Sequence, residues 1–243
     1  MQLVLIIASV CVLLLILAFA AANLGPFVTM DPAPSGLVEK TGTLRIWAVK
    51  NNINDLFVVD SGEELVAVDS GTKPEKVKAE FMACGLDPLK VKAVFLTHSD
   101  YDHVGGLGLF PNAAFYFSED ELQMIDGRKK RNFYMINKLP AGVFVNRFNL
   151  LGDNQTLKIG SLSVRCIKTP GHTRGSMSYL FDDKFLFTGD ALRINKGVFR
   201  IPPFTMDRKQ GKNSLAIIDG VRKQADMVFT AHYGCHKAGD LRV

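Results

Sequence analysis

A chain of 243 residues with 47% apolar and 22% charged side chains is long enough to bury its own core, too apolar to be disordered, and with 21 glycines too poor in glycine to be collagen-like. Its 29 Lys and Arg against 24 Asp and Glu leave a net charge of 29 − 24 = +5, a mild basic bias compatible with an anionic substrate or anionic lipid and diagnostic of neither. The four cysteines, Cys11, Cys84, Cys166 and Cys235, lie far apart, which argues against a disulfide framework and for small buried apolar residues.

Residues 3–22 (LVLIIASVCVLLLILAFAAA) carry no charge and one hydroxyl, Ser9. A helix rising about 1.5 Å per residue over that length covers about 30 Å, the hydrocarbon thickness of a bilayer. Residues 1–22 are therefore expected to be a transmembrane or signal segment, first an uncleaved membrane anchor, with cleavage at Ala18-Phe19-Ala20 and secretion as the alternative, and a buried core helix third. The first cation beyond it is Lys40, so neither flank is strongly positive, and the soluble domain is expected outside the cytoplasm, although the three remaining thiols pull the other way. Residues 23–36, with Pro26, Pro32 and Pro34, read as a linker, and 37–243 as one domain.

Strands are predicted at 43–49, 56–60 and 65–69, the last two joined by a turn at 61–64. A helix follows at 73–84, with Val77, Phe81 and Met82 along one side and Gly85 as its stop. Residues 91–96 read as a buried strand and 113–117 as another, after which Ser118-Glu119-Asp120-Glu121 resembles a capping box opening a helix to about 125. The stretch 127–147 has weak periodicity and holds the basic run 128–131 (RKKR), read as a solvated face, with a basic lid for an anionic substrate as the alternative. Hairpins are predicted at 156–167 and 178–187, a helix at 209–224 and a final strand at 227–230. Strands in hairpins separated by single helices predict an α+β chain of two packed sheets with helices outside.

Four of the five histidines follow predicted strands, in loops rich in Gly and Asp. The first such loop, Thr97-His98-Ser99-Asp100-Tyr101-Asp102-His103-Val104-Gly105-Gly106, offers four ligand-type side chains within six residues. The others supply His172, Asp190 and His232 one at a time. Imidazole with carboxylate suits zinc, iron or manganese. A lone histidine or aspartate of this kind is ordinarily a structural or turn residue; the ordered set of seven is what carries the signal.

From residue 43 onward these loops resemble the metallo-β-lactamase superfamily, whose His-x-His-x-Asp-His motif is matched by His98, Asp102 and His103, and whose later ligands are matched by His172, Asp190 and His232. Gly105, Gly106, Gly171 and Gly189 fit as well, and Val68-Asp69-Ser70-Gly71 resembles the family's early aspartate motif. The resemblance implies an αββα four-layer sandwich and two divalent metal ions, zinc first, with manganese or iron as alternatives. One ion would take His98, Asp100 and His172, the other Asp102, His103 and His232, with Asp190 bridging and Asp102 orienting a metal-bound hydroxide. Asp69 would fix a ligand histidine's tautomer. Asp100 departs from the family, standing where a second histidine is usual. A similar pattern occurs in the metallo-β-lactamase-like domain of competence DNA-uptake channel proteins. Four histidines and three aspartates give a ligand charge of −3 instead of −2, which predicts a preference for harder ions.

The wording around His172 and Asp190 resembles glyoxalase-II-like thioesterases and acyl-homoserine lactonases, so the expected activity is hydrolysis of a small ester, thioester or lactone. Only residues 233–243 follow His232, too few for the helical substrate domain of glyoxalase II. A phosphodiesterase or nuclease is the first alternative, with nucleic acid left open as a partner, and a non-hydrolytic redox or metal-binding member the second. Tyr233 reads as a packing residue, and His236 as a surface one.

Overall fold

The computed structural model describes residues 9–19, 30–131 and 137–243. The chain divides into two units, Met1–Asp31 and Pro32–Val243. In the first, residues 9–19 are helical with exposed side chains. Among the described residues no helix is long and apolar enough to cross a membrane. Residues 1–8 and 20–22 of the predicted anchor, and 23–29 of the predicted linker, lie outside the described residues. Ala33, inside the stretch read as a linker, is buried, and its N–H donates to the Asp55 carboxylate at 2.7 Å.

The second unit contains two large sheets. The first runs in chain order through β1 (Gly36–Thr41), β2 (Leu44–Asn51), β3 (Asn54–Asp60), β4 (Leu65–Val68), β5 (Val91–Phe95), β6 (Ala114–Ser118) and β7 (Phe148–Leu151). Strands β1 to β4 pair antiparallel. Strands β4 to β7 pair parallel, and α1 (Pro74–Ala83), α2 (Tyr101–Val104) and α3 (Leu122–Ile125) lie in their crossovers. The second sheet comprises β8 (Thr156–Ile159), β9 (Leu162–Lys168), β10 (Met177–Phe181), β11 (Phe185–Phe187), β14 (Met227–Thr230) and β15 (Gly234–Lys237), in the order β15-β14-β11-β10-β9-β8. A crossover through α4 (Arg208–Arg222) makes β11 and β14 parallel, and it also carries the small ribbon of β12 (Arg193–Asn195) and β13 (Val198–Arg200).

Burial explains the layering. Ile46, Phe57, Val66 and Phe95 of the first sheet meet Val164, Tyr179, Phe187 and Phe229 of the second in one apolar cluster. The other face of the first sheet packs Val58, Val94 and Phe115 with Val77 and Phe81 of α1. On the second sheet's outer face Leu180, Leu186 and Val228 are buried, and α4 buries Leu215 and Ile218. The result is the expected α+β sandwich, αββα in four layers. Helix α1 stops as predicted: Gly85 has φ +72°, and Leu86 N–H bonds back to Phe81 C=O at 2.9 Å.

Three local expectations are corrected. Met82 is 63% exposed and not part of the buried side of α1. Ser118 makes no side-chain capping bond, and residues 119–121 form a 3-10 turn before α3. Strands β1, β7, β12, β13 and β15 were not anticipated; each is short or lacks a continuous apolar face, and pairing with a neighbour defines it.

Backbone bonds stitch the strand ends of both sheets together at one edge. Asp69 N–H donates to Phe95 C=O at 2.9 Å, Met177 N–H to Thr97 C=O at 2.9 Å, and Thr188 N–H to Phe229 C=O at 3.0 Å. The loops after β4, β5, β9, β11 and β14 therefore open onto a common place.

Candidate metal centre

All seven histidine and aspartate side chains singled out in the sequence meet at that edge. His98 Nε2 and His172 Nε2 lie 3.3 and 3.2 Å from Asp100 Oδ2. His103 Nε2 and His232 Nε2 lie 3.5 and 3.4 Å from Asp102 Oδ2. Asp190 reaches both groups: its Oδ2 is 3.3 Å from His172 Nε2 and 3.3 Å from His232 Nε2, and its Oδ1 is 3.8 Å from His103 Nε2. The donor atoms of His98, Asp100 and His172, and those of Asp102, His103 and His232, each fall within 4.8 Å of one another.

The glycines make this approach possible. A Cβ on Gly106 would sit 1.9 Å from Ser70 O, and one on Gly105 2.0 Å from Thr72 O, so the loop carrying Asp102 and His103 can lie against the β4 loop only without side chains there.

Hydrogen bonds behind the cluster set the imidazole tautomers. His103 Nδ1 lies 2.8 Å from Asp69 Oδ2, and His232 Nδ1 2.8 Å from Ile53 O. Both partners are acceptors, so Nδ1 carries a proton and Nε2 is the nitrogen turned to the centre, where a cation would take its lone pair. His98 Nδ1 lies 3.0 Å from Thr97 Oγ1, whose hydroxyl is in turn 2.9 Å from Asp69 Oδ2. Asp69 thus orients one histidine directly and another through Thr97, as the early aspartate motif implied. Its own backbone is left-handed, φ +64°.

The donors fit a cation. His98 Nε2 and His103 Nε2 are buried without a hydrogen-bond partner among the described residues. Burial works against charge on Asp102 and Asp190, yet the imidazoles of His103 and His232 facing them hold both carboxyls well below the usual range. Burial also works against charge on His232, but Asp190 and Asp102 push it up to about 10. Burial takes His172 down to about 4. The carboxylates thus call for positive charge at their centre. Asp102 is the most open of the seven at 20% side-chain exposure, against 1% for Asp100, so the cluster faces solvent on the Asp102 side.

Three neighbours were not legible as functional. Glu121 turns inward, accepting from Ser99 N–H (3.0 Å), Ser99 Oγ (2.7 Å) and Gly175 N–H (2.8 Å), and so ties the first and second ligand loops together. Asn137 Nδ2 donates to Asp100 Oδ1 at 2.9 Å. Arg131, expected on a solvated face, is buried, with Nη1 2.9 Å from Asp100 Oδ2. One other expectation changes: His236, read as a surface residue, is half-buried, its Nε2 2.6 Å from Tyr233 O. Tyr233 is buried, in keeping with a packing role, and its hydroxyl has no hydrogen-bond partner among the described residues.

The sequence model of the metallo-beta-lactamase superfamily matches residues 51–232. The chain belongs to the metallo-β-lactamase superfamily. Within that superfamily it is 28% identical over 190 residues to a hydroxyacylglutathione hydrolase of Dictyostelium discoideum, covering 75% of this chain and 62% of that protein. It is 38% identical over 106 residues to a probable polyketide biosynthesis zinc-dependent hydrolase of Bacillus subtilis, covering 42% of this chain and 40% of that one. A probable metallo-hydrolase of Methanocaldococcus jannaschii is 30% identical over 173 residues, covering 70% of this chain and 71% of the relative. An archaeal metallo-beta-lactamase superfamily protein from Sulfolobus tokodaii superposes with a TM-score of 0.62 at 24% identity, over 80% of this chain and 82% of that one, a likeness of fold. The chain thus spans about two thirds or less of the length of most of these curated relatives.

Proposed function

We propose that the protein is a metal-dependent hydrolase of a small ester, thioester or lactone, holding two divalent ions, zinc first, with manganese or iron as alternatives. In this reading one ion takes His98, Asp100 and His172, the other takes Asp102, His103 and His232, and Asp190 bridges. The observation that carries it is Asp190, whose carboxylate faces histidines of both groups. Divalent ions in such a site lower the pKa of water toward neutrality and polarise a carbonyl. The chain's own part is to fix donors and exclude water behind them: Asp69 and Thr97 hold the imidazole tautomers, and the 1% exposure of Asp100 closes the inner side. Asp102, on the open side, would orient the attacking water in this reading. The relative named hydroxyacylglutathione hydrolase supports the thioester class, and the one named zinc-dependent hydrolase supports zinc.

The test is metal analysis of the purified full chain, followed by assays on a generic thioester, a lactone and bis-p-nitrophenyl phosphate. Two metal equivalents with turnover of the thioester or lactone is the expected result. Turnover of the phosphodiester alone would replace the substrate class, and two irons without any turnover would replace hydrolysis by redox chemistry. We further propose that residues 3–22 anchor the chain in a membrane with the hydrolase domain outside the cytoplasm. Recovery of the full chain in the soluble fraction would refute the anchor.

A further inference from the structure

Asp100 is unusual among the seven because it brings a third negative charge to a place closed to water. Its Oδ2 faces His98 and His172, and on its other side stands Arg131 Nη1 at 2.9 Å, in a pair whose side chains are 1% and 2% exposed. The arginine is fixed there by the chain itself: Nη1 also donates to His172 C=O at 3.1 Å and Nη2 to Phe204 C=O at 2.6 Å. The second oxygen of Asp100 accepts from Asn137. A guanidinium keeps its charge at any pH a protein survives.

We propose that Arg131 is a built-in counter-cation that makes Asp100 electrostatically equivalent to a neutral histidine at the first metal position. The three aspartates of the ligand set contribute −3 and Arg131 contributes +1, so these groups together total −2, the same as for a ligand set with histidine at position 100 and no arginine. The expectation from sequence that Asp100 shifts the site toward harder ions is therefore cancelled. Arg131 is a positioning residue, acting on metal through Asp100. The inference rests on the metal-hydrolase reading above. It adds that positions 100 and 131 form one unit, so that changing both together restores what changing either one alone disturbs.

The experiment is a four-member cycle on the full-length chain, reading stepwise zinc dissociation constants by competition with a chromophoric chelator. Arg131→Met removes the cation beside a retained carboxylate, and should tighten the first-position zinc by about tenfold or more and raise its manganese-to-zinc preference. Asp100→His leaves an unpaired buried cation beside the ion, and should weaken the same zinc by about tenfold or more. Asp100→His with Arg131→Met should return to within about threefold of the parent. Arg131→Lys, which keeps the charge without the fork to two carbonyls, should also stay near the parent. If Arg131→Met weakens zinc, and neither the double variant nor Arg131→Lys recovers it, Arg131 is a clamp between loops and the inference is wrong. Parent protein that binds no zinc at all would overturn the metal-hydrolase reading and this inference with it. Parent protein that binds two ions, with single variants that do not shift the first-position zinc in opposite directions or with a double variant that does not return to the parent, would overturn this inference alone.

Discussion

The substitution Asp69→Asn separates the orientation of a ligand from the stability of the fold. Asp69 is buried, and its Oδ1 accepts from Thr97 N–H at 2.8 Å while Oδ2 lies 2.8 Å from His103 Nδ1. Thr97 N–H can only donate, so the single carbonyl oxygen of asparagine must stay on that side. The amide Nδ2 then replaces Oδ2 and points its hydrogens at His103 Nδ1. The imidazole answers by moving its proton to Nε2, and the lone pair that faced the centre is lost. The Thr97 hydroxyl also lies 3.0 Å from Oδ1 and keeps that oxygen as its acceptor, so the relay to His98 survives, and asparagine tolerates the left-handed backbone at φ +64°. The expected outcome is a protein of near-parental thermal midpoint in which the zinc held by Asp102, His103 and His232 is weakened about 10- to 100-fold, about 1.4–2.7 kcal/mol, with the other ion unchanged. Asp69→Ala is the contrasting case. It leaves Thr97 N–H, the Thr97 hydroxyl and His103 Nδ1–H without their acceptor, at about 1–3 kcal/mol each, a sum comparable to the whole stability of a domain, so it should not fold. Calorimetry and chelator competition on both variants give the answer. An Asp69→Asn protein that binds both zinc ions as the parent does would refute the tautomer argument.

Thr97→Val should do the reverse of Asp69→Asn, weakening the ion at His98, Asp100 and His172 in the same titration, because it removes the link from His98 Nδ1 to Asp69. Asp190→Asn should lower bound metal at both positions, read by elemental analysis, and cut kcat by about 100-fold or more, since its carboxylate faces both groups. Asp55 is buried and its pKa is raised by burial from 3.8 to about 7, so between about pH 4 and 7 the folded chain holds a proton that the unfolded chain has lost. Stability should fall across that window as pH rises, by up to about 4 kcal/mol, and chemical denaturation of Asp55→Asn should lack the fall. Gly106→Ala places a methyl 1.9 Å from Ser70 O and should lower the thermal midpoint by several degrees and reduce metal content with it.

The candidate centre was legible because its seven side chains sit at strand ends, where short apolar runs followed by Gly and Asp mark the position in sequence, and because metal chemistry restricts the donors to a few residue types. Glu121 and Arg131 were misread for the opposite reason. Glu121 lies in a Ser-x-x-Glu pattern that local rules assign to a helix cap, yet its carboxylate satisfies Ser99 and Gly175 from loops 22 and 54 residues away. Arg131 ends a run of four cations whose other members remain in solvent, and only the return of the chain past His172 and Phe204 buries it. Periodicity and capping patterns describe a residue's neighbours along the chain. They are silent on a buried charge whose partner arrives from another loop.

That difference bears on how the centre can vary. A ligand at a strand end is held by two sheets and tolerates only donors of similar reach. The supports behind it come from loops that are freer to change, and a carboxylate can enter the ligand set where a cation can be delivered alongside it. Asp100 and Arg131 are such a pair, and the cost of a third buried negative charge is met inside the fold at 2.9 Å, before any metal ion arrives.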